Sequence, residues 1–493
     1  MSHPFDRYSA FTDLKALNES SAKPLRKSIR VNTLKITVED FLKYAKTKGW
    51  KLEQVPWCAE GFYIDRENRE EALGRDVLHL LGYFYMQEAA SMLPAELLGA
   101  EGEQMVLDMS AAPGSKTTES GAKMNGRGVI VANDIQEKRL WTLKSAIHRC
   151  GVTNVIVTKK VGQWFAKHMT ERFDRVQCDA PCTAQGTVRK DSDALRYCSL
   201  ESIEKMARLQ YQLLESAIHS AKVGGRVVYS TCTLTPEENE GVVMQMLARF
   251  PDQIEIVDPR TYMQDLGLRS KDLGNSESFF DKAIADSIKV QESFRNNSQF
   301  SPEPAEGLNS PFLRLWPQTY DTEGFFCAVL KKIAPTKHVE QMDRVEFQED
   351  ELPRSRRYEV MNILEAQFGT GFLTEDDRLF ERGDLLVLST AEVSFFNLPM
   401  EDYSIGIPFG KRLKDGRVLL DHEVATLRGH MATKNRVEIG SEDLEKLLQA
   451  QSIDCPKELN GHVLLMNEGR CVGLGLAKDG RVKNNLPRWM VRF

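Results

Sequence analysis

Residues Met105–Thr118 read MVLDMSAAPGSKTT. An apolar run ends on Asp108. The small residues Ser110, Ala111, Ala112 and Gly114, with Pro113 among them, then lead through Ser115 and Lys116 into a helical pattern. A strand passing through such a loop into a helix is the ligand corner of an open α/β sheet, where ligands bind beyond the carboxyl ends of the strands. Small side chains let backbone approach a ligand closely, and a helix N-terminus suits a carboxylate. The loop is neither GxxxxGK[ST] nor GxGxxG, so it reads as neither a P-loop nor a dinucleotide fingerprint.

The flanking sequence repeats the alternation. MVLDMS, GVIVAND, NVIVT, FDRVQCDAP and GGRVVYST are short apolar runs ending in polar or small residues. EKRLWTLKSAIHRCG and SIEKMARLQYQLLESAIHSAKVGG read as helices between them. Strands alternating with helices predict an α/β, Rossmann-like, doubly wound sheet over residues 96–333. FFCAVLKK (325–332) reads as a late strand at the sheet edge, and 265–310, rich in Ser, Asn, Asp and Pro, as an irregular insertion or mobile loop. Asp134, ending GVIVAND, follows Asp108 by 26 positions. An acid there can accept from both ribose hydroxyls of an adenosyl ligand.

Residues 1–95 read as a small α+β unit. IRVNTLK is a strand, and TVEDFLKYAKTKG a helix capped by Thr37 and stopped by Gly49. Residues 334–352 read as a linker. The extension 353–493 holds helix-like EVMNILEAQFG and strand-like DLLVLS, HVLLMN and CVGLGLAKDGRV, and is expected to form small α+β or β-barrel units.

The chain has 493 residues, 41% hydrophobic and 28% charged, which suits a globular protein of several domains. It lacks an apolar run of membrane-spanning length, and MSHPFDRYSAF lacks the pattern of a secretory signal. A cytoplasmic monomer with no membrane partner is expected. The nine cysteines are irregularly spaced without a CxxC pair, so no metal is expected. A net charge of −6 and a pI near 6.0 do not by themselves suggest nucleic acid. The distribution does. Residues 1–50 hold ten Lys/Arg against five Asp/Glu, most densely in Lys23–Lys35, and the end carries Arg481, Lys483, Arg488 and Arg492. Arg428, His430, Lys434 and Arg436 are further candidates for a basic face that grips phosphate.

Two cysteines stand out. Cys182 follows FDRVQCDAP and Cys232 follows GGRVVYST, so both lie just past strand ends, facing the crevice of Asp108 and Asp134. This placement suits methylation of cytosine at C5, which is a poor nucleophile. A thiolate adding to C6 makes C5 enamine-like, able to take a sulfonium methyl. Charge then develops at N3, and Asp179 is placed to hydrogen-bond there, protonated or sharing a proton. A second ionisable group, Cys182, can assist when the C5 proton and the enzyme sulfur leave. Lys116 reads either as a positive charge near cofactor or thiolate, or as a surface lysine.

Three motifs in order, Ala111–Thr117 (AAPGSKT), Asp179–Cys182 (DAPC) and Ser230–Thr233 (STCT), resemble those of RNA cytosine-C5 methyltransferases related to Nol1/Nop2/Sun proteins. RKSIRVNTLK and FYMQEAASMLP are similar to that family's N-terminal part. LPRWMV and the long extension resemble a bacterial subgroup that acts on 16S ribosomal RNA and carries a PUA-like RNA-binding unit. The resemblance implies S-adenosylmethionine as cofactor and 16S rRNA or the small ribosomal subunit as partner. It implies Cys232 as nucleophile, Cys182 in product release, Asp179 on the target base, and Ser110–Lys116 with Asp134 and Asp179 around the cofactor. There are two departures. Val161 stands where relatives carry an adenosine-contacting aspartate, and Thr183-Ala184-Gln185-Gly186 replaces Ser-Gly-x-Gly. Two rival readings stay open: a catalytically weak ribosome-assembly factor on this fold, and a DNA-type enzyme using Cys182 as nucleophile.

Overall fold

A computed structural model describes residues 4–67, 72–261, 276–295, 309–338, 350–400 and 403–491. The chain divides into two compact units. The first comprises Met1–Glu71, Phe84–Leu143 and Val157–Asp343, and the second Ala72–Tyr83, Lys144–Ile156 and Arg344–Phe493.

The first unit is built on the expected sheet. Its strands are β1 (Met105–Asp108), β2 (Val129–Asn133), β3 (Val155–Thr158), β4 (Phe173–Asp179), β5 (Ala221–Thr231), β6 (Ile254–Ile256), β7 (Leu313–Leu315) and β8 (Phe325–Lys332). Their order is β6-β8-β5-β4-β1-β2-β3, with β7 also on β8. β1 pairs in parallel with β2 and β4, and β4 with β5, whereas β8 runs antiparallel to β5. The order reverses at β1, and ligands bind at such a switch point. β8 is one strand in from the edge, because the short strands β6 and β7 both pair with it. Val106, Leu107, Ile130, Val131, Val176, Val227 and Val228 are buried in β1, β2, β4 and β5, as near-continuous apolar runs in a covered parallel sheet require.

The helices that position the site are α1 (Ser115–Lys123), α2 (Glu137–Cys150) and α3 (Leu200–Ser220). The stretch expected to be irregular holds a fourth, α4 (Ser276–Arg295). Phe280, Ala283, Ile284, Ser287, Val290 and Gln291 are buried along it, an i, i+3/i+4, i+7 face that a Ser- and Asp-rich composition obscured. The mobile-loop reading of 265–275 and 296–308 lies outside the described residues.

The N-terminal sheet of this unit orders Lys51–Gln54, Gly61–Asp65, Ser28–Val31 and Phe84–Met86, all antiparallel. The helix Val38–Thr47 starts at Thr37, whose hydroxyl accepts from Asp40 N, and Gly49 follows it at φ +66°, where glycine is favoured.

The second unit contains two five-stranded sheets. One comprises Asp350–Glu351, Asp377–Arg382, Leu385–Thr390, Ile407–Arg412 and Val418–Leu420. The other runs Arg436–Glu438, Gly461–Asn467, Arg470–Lys478, Arg481–Asn484 and Ile453–Asp454. Most of the stretch read as a linker, 339–349, lies outside the described residues. No described helix is long and apolar enough to cross a membrane.

Candidate active site

The strand ends bring the expected residues together. Cys182 Sγ and Cys232 Sγ stand 3.4 Å apart. Their loops are joined at the backbone, where Ala180 N donates to Ser230 O (2.9 Å) and Gly186 N to Cys232 O (3.0 Å). The contact with Cys232 and burial together push the Cys182 thiol well above its ordinary range. Cys182 therefore stays protonated and can present its S–H to Cys232 Sγ. Both side chains are half-buried rather than sealed.

Lys116 is not a surface lysine. Its Nζ lies 2.7 Å from Asp179 Oδ2 with 11% of the side chain exposed. Burial acts to depress its ammonium, but Asp179, then Asp108 and Cys232, outweigh that and raise it. Ser230 Oγ donates to the other Asp179 oxygen at 2.7 Å. Asp179 thus faces the crevice as the acceptor of an ammonium and a hydroxyl. Its ion-pair partner Lys116 is one that sequence spacing does not reveal.

The loop before α1 is shaped for close approach. Ala111 and Ala112 are buried, and Gly114 caps α1 at φ +108°, a conformation that penalises any Cβ. Asp108 accepts from Thr117 Oγ1 at 2.7 Å, and burial raises its carboxyl to about 6. Asp108 Oδ1 and Asp134 Oδ2 are buried and accept no hydrogen bond from a protein group, although Arg139 Nη1 lies 3.3 Å from Asp134 Oδ2. Buried polar atoms are seldom left so, and these acceptors beside a small-residue loop fit a ligand rich in hydroxyls and an ammonium. Asp134 Oδ1 accepts from Gln136 N (2.9 Å), and Arg139, 3.3 Å from Asp134, also donates to Ala112 O.

Val161 is 49% exposed. Asn133 fixes its loop by donating to Lys160 O (2.9 Å) and accepting from Lys160 N (2.8 Å). Val161 therefore sits on a held loop beyond β3, and its side chain offers no acceptor. Ala184 takes φ +57°, a left-handed conformation that favours glycine.

Two basic segments behave differently from their composition. Arg30, in the densest basic stretch, is buried and turned inward. It donates to Gln87 Oε1 (2.9 Å), Thr118 Oγ1 (2.9 Å) and Ser115 O (3.4 Å), bracing the first turns of α1. Arg428 binds Asp377 and the Phe372 carbonyl, and Arg436 binds Glu438 and Ala432 O. Lys23, Lys27, His430, Lys434, Lys483 and Arg488 are exposed. Arg492 lies outside the described residues. Cys58, Glu96 and Glu119 place potential metal-ligand atoms within 4.8 Å of one another. However, Lys123 Nζ is 2.8 Å from Glu96 and Arg30 Nε 3.7 Å from Glu119, so cationic side chains already balance that cluster.

The family model for the 16S rRNA methyltransferase RsmB/F matches residues 95–331. Models for the N-terminal domain of 16S rRNA methyltransferase RsmF and for the RsmF PUA domain match 7–89 and 434–492. Ribosomal RNA small subunit methyltransferase F of Aeromonas salmonicida is 37% identical over 480 residues, covering 96% of this chain and 92% of that protein. The chain belongs to the RsmF family. The Escherichia coli K12 protein of the same name is 35% identical over 477 residues, with 95% and 91% covered. A methyltransferase homologue from Pyrococcus horikoshii superposes with TM-score 0.52 at 32% identity, covering 66% of this chain and 93% of its own. The NSun6 structure from the same organism, solved with SFG, has TM-score 0.52 at 23% identity and covers 68% and 98%, which supports the fold. Membership makes this RsmF-family chain an S-adenosylmethionine-dependent methyltransferase with a Rossmann-like domain and a C-terminal PUA domain.

Beside the two thiols Thr183 N and Gln210 Nε2 donate to Glu238 Oε2, and the sequence did not single out these three as site residues. The PEEN run after STCT was the available signal, since an acid beside two strand-end cysteines is otherwise unexplained.

Proposed function

We propose that this RsmF-family methyltransferase methylates C5 of a cytosine in 16S ribosomal RNA through a covalent bond between Cys232 and C6. The observation that carries the proposal is the pair of thiols 3.4 Å apart at adjacent strand ends, beside the Lys116–Asp179 ion pair. When bound, S-adenosylmethionine supplies an electrophilic methyl group. Ser110–Lys116 would surround its amino-acid end, and Asp134 would accept from the ribose.

The protein's own groups have separate tasks. Chemistry on a base requires it to be taken out of the stack. Cys232 Sγ adds to C6 as thiolate, making C5 nucleophilic. Lys116 and Asp179 meet the charge that develops toward N3, with the ammonium supplying the hydrogen-bonding proton and the carboxylate orienting it. After methyl transfer water takes the C5 proton, the C5–H electron pair restores the C5–C6 double bond, the Cys232–C6 pair returns to sulfur, and N3 returns its proton to Lys116. Cys182, held as a thiol, donates to that departing sulfur. The exposed lysines of the N-terminal stretch and the PUA domain would hold RNA phosphate. In domain terms the reading is 1–95 for RNA, 96–333 for chemistry, 334–352 as linker and 353–493 for RNA.

Bisulfite mapping of 16S rRNA from cells lacking the protein should reveal one lost 5-methylcytosine. Purified Cys232→Ser should transfer no methyl group, and Cys182→Ala should accumulate a covalent protein–RNA adduct. Activity retained in Cys232→Ser with loss in Cys182→Ser would transfer the nucleophile role to Cys182. The absence of acceptor chemistry at Val161 favours a second reading, an assembly factor with weak cofactor affinity. Failure of labelled cofactor to bind the pure protein would select it.

A further inference from the structure

Glu238 is fully buried, in the turn Pro236–Glu238 that follows β5. Its carboxylate gathers donors from two loops and a helix. Oε2 accepts from Thr183 N at 3.0 Å and from Gln210 Nε2, on α3, at 2.8 Å. Oε1 accepts from Thr183 Oγ1 and, at 2.7 Å, from Thr235 Oγ1. Thr183 Oγ1 also meets Thr233 Oγ1 at 3.1 Å. Gln210 Nε2 donates in addition to Pro181 O at 2.8 Å. Tyr229 OH donates to the Glu238 carbonyl and fixes the turn itself.

The chain positions matter. Pro181 and Thr183 flank Cys182, and Thr233 follows Cys232. One carboxylate therefore ties the residues on either side of one thiol to the residue next to the other. Thr183 N and Gln210 Nε2 can only donate, so Oε2 must accept, whereas the Oε1 partners are hydroxyls that can donate or accept. An amide of the same shape would keep its oxygen toward Thr183 N and Gln210 Nε2, force the Thr183 and Thr235 hydroxyls to reverse, and lose the charge that strengthens all four bonds.

We propose that Glu238 is a positioning residue for methyl transfer, setting the separation and orientation of Cys182 Sγ and Cys232 Sγ. It touches neither substrate nor cofactor and acts through the two loops. The inference rests on the division of labour between the two cysteines, but its first test does not need that chemistry.

In cofactor-free protein, diamide oxidises two neighbouring thiols to a disulfide. The thiols give up two protons and two electrons, and the diazene is reduced to the hydrazine. The yield of the Cys182–Cys232 bridge over time is read by mass spectrometry of the tryptic peptides. Glu238→Gln should slow that bridge at least fivefold. It should lower kcat about tenfold or more, while leaving KM for S-adenosylmethionine within twofold and the unfolding temperature near that of wild type. Thr183→Val, which removes the hydroxyl from the opposite side, should shift all readings in the same direction and decides the matter if Glu238→Gln does not fold. Bridging at the wild-type rate in both variants would overturn the proposal. So would a parallel fall of kcat and cofactor affinity with a lowered unfolding temperature, which is the signature of a merely structural acid. If the wild-type protein forms no 5-methylcytosine, the proposed reaction fails and the bridging rates still judge Glu238.

Discussion

Replacing Lys116 with methionine keeps the length of the side chain and removes its charge. The ammonium is 2.7 Å from Asp179 Oδ2, and the two side chains are only 11% and 27% exposed. At an effective dielectric of about 20, Coulomb's law gives about 6 kcal/mol at such a distance, an upper bound because water reaches both groups. Net values for hydrogen bonds to charged groups are about 1.5–3 kcal/mol. If that interaction strengthens as charge grows on the cytosine ring, its loss appears in kcat as roughly a tenfold to hundredfold fall. Single-turnover transfer of a tritiated methyl group to a ribosomal RNA fragment, at saturating cofactor, measures this directly. RNA affinity should change by less than threefold, because the ion pair meets the base most strongly once the ring is charged. Lys116→Arg should not restore the rate, since a planar guanidinium does not replace a point charge in this geometry. A Lys116→Met enzyme with kcat within threefold of wild type would show that the ion pair is a bystander. The base would then have to be activated by another group.

Four further outcomes follow from the geometry. Burial raises the Asp108 carboxyl from 3.8 to about 6, so its favourable contribution is full below pH 3.8 and lost as the pH rises through 6. Asp108→Asn should therefore gain about 2–3 kcal/mol relative to wild type at pH 7.5 and little at pH 4, in paired denaturant titrations; a pH-independent difference would count against this. Ala184 holds φ +57°, so Ala184→Gly should raise stability by about 0.5–1 kcal/mol in thermal unfolding rather than lower it. Arg314 and Glu240 form a pair no more than 1% exposed; Arg314→Met should cost about 3–5 kcal/mol in chemical denaturation, and adding Glu240→Gln should recover part of it. Arg30→Met should weaken cofactor binding severalfold in calorimetry through Ser115 and Thr118, while the salt dependence of RNA binding stays unchanged, because this cation faces inward.

The site residues that the sequence revealed share one property: they lie at strand ends. Asp108, Asp134, Asp179, Cys182 and Cys232 could be placed in one crevice because a parallel sheet points all its carboxyl ends the same way. What stayed hidden were pairings across long separations. Lys116 meets Asp179 across 63 positions, Thr183 meets Glu238 across 55, and Arg30 reaches Thr118 across 88. No local pattern encodes such partners, because each residue is an ordinary polar side chain until the fold turns it inward. Helix α4 failed for a different reason. Its 3.6-residue apolar period was present, but Ser, Asp and Lys between the apolar positions were read as loop composition. Even the N-terminal helix cap at Thr37 was legible, because capping is a contact within three residues.

The inward turn of Arg30, Arg314 and Arg428 bears on how charge is read in a chain with a net charge of −6. Counting basic residues along the sequence treats each as a potential phosphate contact. Yet Arg30 braces α1, Arg314 neutralises a buried glutamate, and Arg428 holds Asp377. Arg26 lies 3.9 Å over the Tyr63 ring and pairs with Glu53. These four guanidinium groups are thus engaged by protein partners, where a planar, multiply donating cation can satisfy several acceptors at once. Exposed lysines such as Lys23 and Lys27 remain for solvent and polyanion. Lysine, a hydrated point charge, grips phosphate without requiring a fixed geometry. An enzyme that must hold RNA while one base is extruded gains from that tolerance, because the backbone has to shift as the base moves. In the proposed reaction the rigid contacts would serve the crevice, where Lys116, Asp179 and the two thiols would hold their places against a base that arrives from outside.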